Sequence, residues 1–425
     1  MNIEMENSNK MDATWWDAFI DQTNHLHDTT VIKDCLDSSE TSAMRRNIME
    51  IIADLAKLRT NKYGYRVYIE GRQLENNEML RVYDCPPIKN ENLDDWVSRA
   101  FGNQKFGIII NQGERFNLQL SQSIAKKLKP LLDKMGMPTE GIIFTLFIGN
   151  YDNTPLGIHL DSPGKSVMHF HLGPGSKKMY TWNTQKYEEL VGEEKHNNQN
   201  IQRYLPYASE YAFDEGDIYF MPEDTYHVGT QSGLSIAIAC WLNNRSNFDF
   251  ALRLQSLFSE QYLKQSKDNL KFDANTIDDI TALDTTLRLF EMPPHLEQLS
   301  FKDLMKEIYR DLRYSLNSNG GFRTSPFPKT DSAYFKAEDK IQLVKPFKIL
   351  YRQSLVDSKL YVFVRGIRFE LNNYDCLIPF LDAINNGEVW GVDALLDILD
   401  KDWDSNVGVY ILSLLYKNHG ILKVG

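Results

Sequence analysis

The spacing of apolar residues changes period twice along this chain. In TSAMRRNIMEIIADLAKL, Met44, Ile48, Ile51, Ile52, Leu55 and Leu58 recur three and four residues apart, forming one apolar stripe. Residues 12–60 therefore read as helices. YRVYIEG (65–71) and FGIIINQG (106–113) read as strands, with a helix at ENLDDWVSRAF between them. A further helix is predicted over 120–136, with Gly136 as its end. From residue 141 the period becomes that of strands: GIIFTLFIG, GIHLD, SVMHFHL, KKMYTW, YAFDEGDIYFM and SIAIACWL, divided by the turn signals NTP, DSPG, GPGS, DEGD and QSG. Short strands at this spacing predict a double-sheet or jelly-roll core, interrupted by a polar insertion with helical potential at 184–205. After about residue 246 helical spacing returns in FDFALRLQSLFSEQYLKQ and SFKDLMKEIYRDLRYSL. The polar stretch 317–332 is expected to be a linker. Strands, three short helices and a final strand, ILKV, then predict a small winged-helix-like module.

The expected class is thus α+β. Flanking helices and strands fill 1–135, the β core 136–245, a helical region 246–320, and the winged-helix-like domain 333–425. A chain of 425 residues is long enough for several such units. No apolar run reaches the roughly 20 residues that a membrane span needs. The start, MNIEMENSNKMDATWWDAF, lacks the basic and apolar segments of a signal peptide, so a cytoplasmic location is expected. Four scattered cysteines without a CxxC pair argue against a disulfide framework and against structural zinc. A formal charge of −11 argues against broad attraction to nucleic acid or anionic membrane, and suits a basic partner.

Chemistry concentrates in GIHLDSPGKSVMHFHLGPGSKK, residues 157–178. His159 and Asp161, two apart on extended chain, present their side chains to the same side. Joined by a distant imidazole, they would make a two-histidine, one-carboxylate set that holds one face of an octahedral iron. His227, in GDIYFMPEDTYHVGTQSGLSIAIACWL, is the best-placed partner, expected in a turn region between two strands. His169 and His171 are the rivals, since they too share a strand face; metal-binding cupins with an HxH pair usually need a nearby glutamate, and LGPGSKK offers none. These two are expected to line the cavity or to be hydrogen-bonded in the core. Lys177, opening a strand after a tight turn, is placed to pair with the distal carboxylate of an iron-chelating dicarboxylic acid, with Lys178 facing the other way. Trp182, Tyr219 and Tyr226 are either cavity walls or plain core.

The order HLD, GPGSKKMYTW, GDIYFMPEDTYHVG, SIAIACWL resembles the JmjC or cupin-like branch of the iron(II)- and 2-oxoglutarate-dependent oxygenases. The resemblance implies a double-stranded β-helix over roughly 140–245, with His159, Asp161 and His227 as iron ligands and Lys177 on the 2-oxoglutarate C5 carboxylate. It also implies a part for Thr154 in holding that cosubstrate. The whole layout is similar to the ribosomal oxygenases, which hydroxylate side chains of ribosomal proteins and dimerise through their helical segment. The C-terminal module also looks like the winged helix that binds leader peptides in enzymes tailoring ribosomally made peptides. Its last helix, VGVYILSLLYKNHG, carries only Lys417 as a strong base and VDALLDILDKDWD is acidic, so protein or peptide docking is expected there rather than DNA. Two alternatives remain: a non-catalytic cupin-like sensor or scaffold, and a cupin enzyme using His169 and His171 without 2-oxoglutarate.

Overall fold

The computed structural model describes residues 10–192, 197, 200–269, 272–331, 334–354 and 358–424. Nine strands form one antiparallel sheet: β1 (Thr30–Ile32), β2 (Arg66–Ile69), β3 (Arg72–Gln73), β4 (Phe106–Ile110), β5 (Ile142–Gly149), β6 (Lys165–Asn183), β7 (Ser209–Phe213), β8 (Ile218–Met221) and β9 (Thr225–Asn243). Their order is β1-β8-β6-β9-β5-β4-β2-β3, and β7 pairs with the far half of β6. The sheet is mixed with many helices, as the expected α+β class requires.

The two long strands organise the core, and they correct two expected turns. GPGS lies inside β6 and QSG inside β9, so SVMHFHL and KKMYTW belong to one strand. Glycine and proline here shift the register instead of reversing the chain: the β6–β9 ladder is irregular on both sides of Pro174. A side chain at Gly175 would strike the carbonyls of Ser232 and Leu234. The first half of β6 pairs with β8 through Val167–Phe170, the second half with β7 through Lys177–Thr181. Among the described residues GIHLD makes single bridges, Ile158 to Asn197 and His159 to His227.

Alternation along these strands separates two environments. Phe144, Leu146, Ile148, Met168, Phe170, Leu172, Ile236, Ile238 and Cys240 point into the main apolar core. That core is completed by the helices Ala13–Gln22, Ser38–Leu58 and Leu118–Met135. The Ser38–Leu58 helix starts at a capping box of Asp37 with Glu40, and Gly136 closes the third. The opposite set, with Val167, Met179, Phe213, Tyr219, Met221 and Ala239, forms a second, interior cluster. His169 faces that interior opposite Ala239, and His171 lies opposite Ala237.

Beyond the sheet, the helices Asn247–Tyr262 and Phe301–Ser318 pack on each other around Tyr262, Leu304 and Ile308. The stretch expected as a linker is in fact docked, through residues 322–324 and again at Phe327, whose ring packs on Tyr63 and Phe116. Phe322 is buried, Arg323 N donates to the Ile142 carbonyl, and Thr324 bonds the buried Glu114. Its polarity is used inward: Asn319 Oδ1 accepts from the buried Arg365 of the C-terminal module. That module contains two three-stranded sheets and the helices Leu377–Asn385, Val392–Leu396 and Ser405–Lys417, around its own apolar core. Among the described residues, no helix is long and apolar enough to cross a membrane.

Candidate metal centre

The His159–His227 bridge brings the two histidines together. Their backbones exchange hydrogen bonds of 3.2 and 3.0 Å, and their rings lie 4.3 Å apart. His227 stands near the start of β9, in the strand and not in a turn as expected. Asp161 completes the group, with Oδ1 3.9 Å from His159 Nε2 and Oδ2 3.6 Å from His227 Nε2. One ligand atom from each of the three residues lies within 4.8 Å of the others, the one such group of three or more among the described residues.

The outer hydrogen bonds orient both rings. His159 Nδ1 lies 2.9 Å from the Gly157 carbonyl, and His227 Nδ1 lies 3.0 Å from the Thr225 carbonyl. A carbonyl only accepts, so each ring carries a proton on Nδ1 and Nε2 is the nitrogen that faces the carboxylate. This is the arrangement by which proteins fix metal-binding imidazoles. Burial, and next the adjacent His159 ring, lower the His227 pKa and favour its neutral form. Asp161 Oδ2 is buried without a hydrogen-bond donor among the described residues. Two basic nitrogens and an orphaned carboxylate oxygen facing one point suit a divalent cation.

His169 and His171 take no part in that group. His171 Nε2 lies 2.7 Å from the Gly175 carbonyl, tying the ring to the β6 irregularity, and burial lowers its pKa to about 4. His169 sits in the interior with Nδ1 unpartnered, its pKa driven well down by burial and then by Lys177.

Lys177 and Lys178 point to opposite faces of β6, as alternation requires. Lys178 is exposed and pairs with Glu210 at 2.7 Å. Lys177 is only 4% exposed, makes no ion pair among the described residues, and has its pKa pushed down to about 8 by burial. Its ammonium lies 5.6 Å from the centre of the Phe147 ring. Thr154 bonds both the Gly229 carbonyl (2.9 Å) and its amide (3.2 Å). A side chain at Gly229 would come within 2.9 Å of Thr154 Oγ1 and Met179 Sδ and 3.2 Å of Lys177 Cε. Tyr219 also faces the interior, 5.8 Å from the His169 ring, with its hydroxyl buried and unpartnered. Trp182 and Tyr226 point the other way and pack with Tyr187 and Tyr204 beneath the 184–207 insertion. Residues 193–196 and 198–199 of that insertion lie outside the described residues. Gly229 and the two carbonyls that orient the rings escaped the sequence reading; a carbonyl belongs to every residue and carries no sequence signal.

No protein-family model matches this sequence, and no curated protein matches it. Among solved structures, one of YcfD, a ribosomal oxygenase from Escherichia coli, aligns over 96% of this chain and 98% of its own, at 13% identity and a TM-score of 0.48. A second, of YcfD in complex with cobalt and 2-oxoglutarate, aligns over 96% and 98% at 12% identity and a TM-score of 0.48. A third, with cobalt and succinic acid, gives the same shares, 96% and 98%, at 12% and 0.48. The functional reading rests on the geometry above.

Proposed function

We propose that this protein is an iron(II)- and 2-oxoglutarate-dependent oxygenase that hydroxylates a side chain of a protein or a ribosomally made peptide. In this reading its core is a double-stranded β-helix of the JmjC type, and its C-terminal module is a winged helix serving docking or structure. One observation carries it: two histidine Nε2 atoms and a partly buried carboxylate face one point, while an ammonium without an ion pair among the described residues is held in the same interior. Iron bound there supplies the redox chemistry, coupling oxidative decarboxylation of 2-oxoglutarate to hydroxylation of a C–H bond.

The chain's own groups have separable tasks. His159, Asp161 and His227 would hold the metal, which would supply the redox chemistry for the cosubstrate and oxygen. Lys177 neutralises the distal carboxylate of 2-oxoglutarate, and an anion beside it restores the charge that burial disfavours. The Tyr219 hydroxyl is available to the same carboxylate, and Thr154, its proton given to the Gly229 carbonyl, fixes Gly229 beside Lys177. The interior apolar residues Met179, Phe213 and Phe147 exclude water around it. Exposed Phe248, Leu252, Leu287 and Phe301 in the helical region suit a homodimer contact, which light scattering tests.

Anaerobic titration of the iron(II)-loaded protein with 2-oxoglutarate tests the assignment. A weak visible charge-transfer band is expected for the wild type and for His169→Ala, and none for His159→Ala. A band that survives His159→Ala, or that never forms, refutes the reading.

A further inference from the structure

A cleft of about 670 Å³ opens away from the metal-centre residues, between the Leu118–Met135 helix, the Phe301–Ser318 helix and the Pro346–Leu350 segment of the C-terminal module. Its lining carries four cations, Lys129, Arg310, Arg313 and Lys348, against one acid, Asp133. That balance runs against the whole chain, whose formal charge is −11. Two of the cations are already engaged: Lys129 pairs with Asp133 at 2.5 Å and Arg310 with Glu307 at 2.6 Å. Arg313 and Lys348 make no ion pair among the described residues. Apolar surface from Ala125, Leu132, Met137, Tyr314, Pro346 and Leu350 lies between the charges.

We propose that this cleft docks an acidic segment, interspersed with apolar residues, of the protein or peptide on which the metal centre acts. The inference rests on the oxygenase reading for its substrate but on the cleft alone for its binding chemistry. Arg310, Arg313 and Asn317 follow helical spacing on one face of the Phe301–Ser318 helix. At about 1.5 Å per residue they extend roughly 10 Å along the cleft, the reach of about three extended residues. Arg313 on that helix and Lys348 on the C-terminal module, with apolar surface in the same lining, match carboxylates and apolar residues of a peptide. A basic segment would meet like charge. Of the substrate classes left open by the sequence, this favours a precursor peptide with an acidic leader over a basic ribosomal protein.

The test uses the full chain and fluorescence anisotropy of a short labelled peptide of Glu-Glu-Leu repeats, with Lys-Lys-Leu repeats, Glu-Glu-Ser repeats and an oligouridylate compared beside it. The Glu-Glu-Leu probe is expected to bind in a salt-dependent manner and more tightly than Glu-Glu-Ser, while Lys-Lys-Leu does not bind. The double variant Arg313→Glu, Lys348→Glu is expected to weaken it at least about tenfold. Both side chains are exposed and outside the metal centre, so the variant should keep its melting temperature and its 2-oxoglutarate band. Absence of Glu-Glu-Leu binding, or binding that survives the charge reversal, overturns the proposal. So does oligouridylate binding that the reversal abolishes, which would make the cleft a nucleic-acid site. None of these outcomes touches the oxygenase reading, because the probes need neither iron nor 2-oxoglutarate.

Discussion

Replacing Lys177 with methionine keeps an unbranched side chain in the interior and removes its ammonium group. Burial brings that ammonium from 10.5 down to about 8 without a compensating anion. At about 1.4 kcal/mol for each tenfold change, keeping it charged inside the fold costs roughly 3 kcal/mol. The sign follows from the two states. Below pH 8 lysine is protonated both folded and unfolded, and the full penalty is present. Between about 8 and 10.5 only the unfolded chain holds the proton, so the wild type gains stability as pH rises. Above that range the penalty is gone. The metal-free Lys177→Met protein should therefore be more stable than wild type at pH 7, by on the order of 3 kcal/mol, with the gap closing by about pH 10. Urea denaturation followed by tryptophan fluorescence at the two pH values measures this. The same variant should lose 2-oxoglutarate affinity by about a hundredfold, the loss expected for a buried charged hydrogen bond, while binding iron as before. A variant less stable than wild type, or a gap independent of pH, would refute the picture of an unpaired ammonium held for an anion.

Other consequences are as specific. In the wild type, 2-oxoglutarate affinity should fall as pH rises through about 8, by up to tenfold per pH unit, because Lys177 must be charged to bind the dianion; calorimetry across pH 6.5 to 9.5 tests it, and a flat profile counts against Lys177 as the anchor. Gly229→Ala places a methyl group 3.2 Å from Lys177 Cε and 2.9 Å from Thr154 Oγ1. It should raise the 2-oxoglutarate Kd about tenfold and leave iron binding intact, as spectroscopic titration would report. Glu140 is buried amid Arg245 (2.5 Å), Arg323 (3.3 Å) and Arg253 (3.7 Å), which ties the sheet to the helical region. Glu140→Gln should cost about 3 kcal/mol, the low end for breaking a buried pair since the arginines are partly exposed, and chemical denaturation would show an unchanged midpoint if the tie is idle.

Local pattern made much of this molecule legible. The helical stripe of residues 44–58, the capping residues and the alternation in β5, β6 and β9 are set by neighbours a few positions away, where backbone geometry alone decides which side chains share a face. The same rule put Lys177 and Lys178 on opposite faces of one strand. His159 and Asp161 were legible as a pair for that reason, whereas His227 was legible only as a distant partner of the right type. What the sequence could not decide are matters of long-range pairing. Whether GPGS and QSG reverse the chain or only shift its register depends on the strand alongside, so two expected turns became the bends of β6 and β9. Whether the polar stretch after residue 317 is solvated or docked depends on partners such as Ile142, Glu114 and Arg365, far away in the chain. The burial of Lys177 is likewise a property of the closed interior: a sequence names the cation, and only the packing around it determines that no carboxylate among the described residues reaches it.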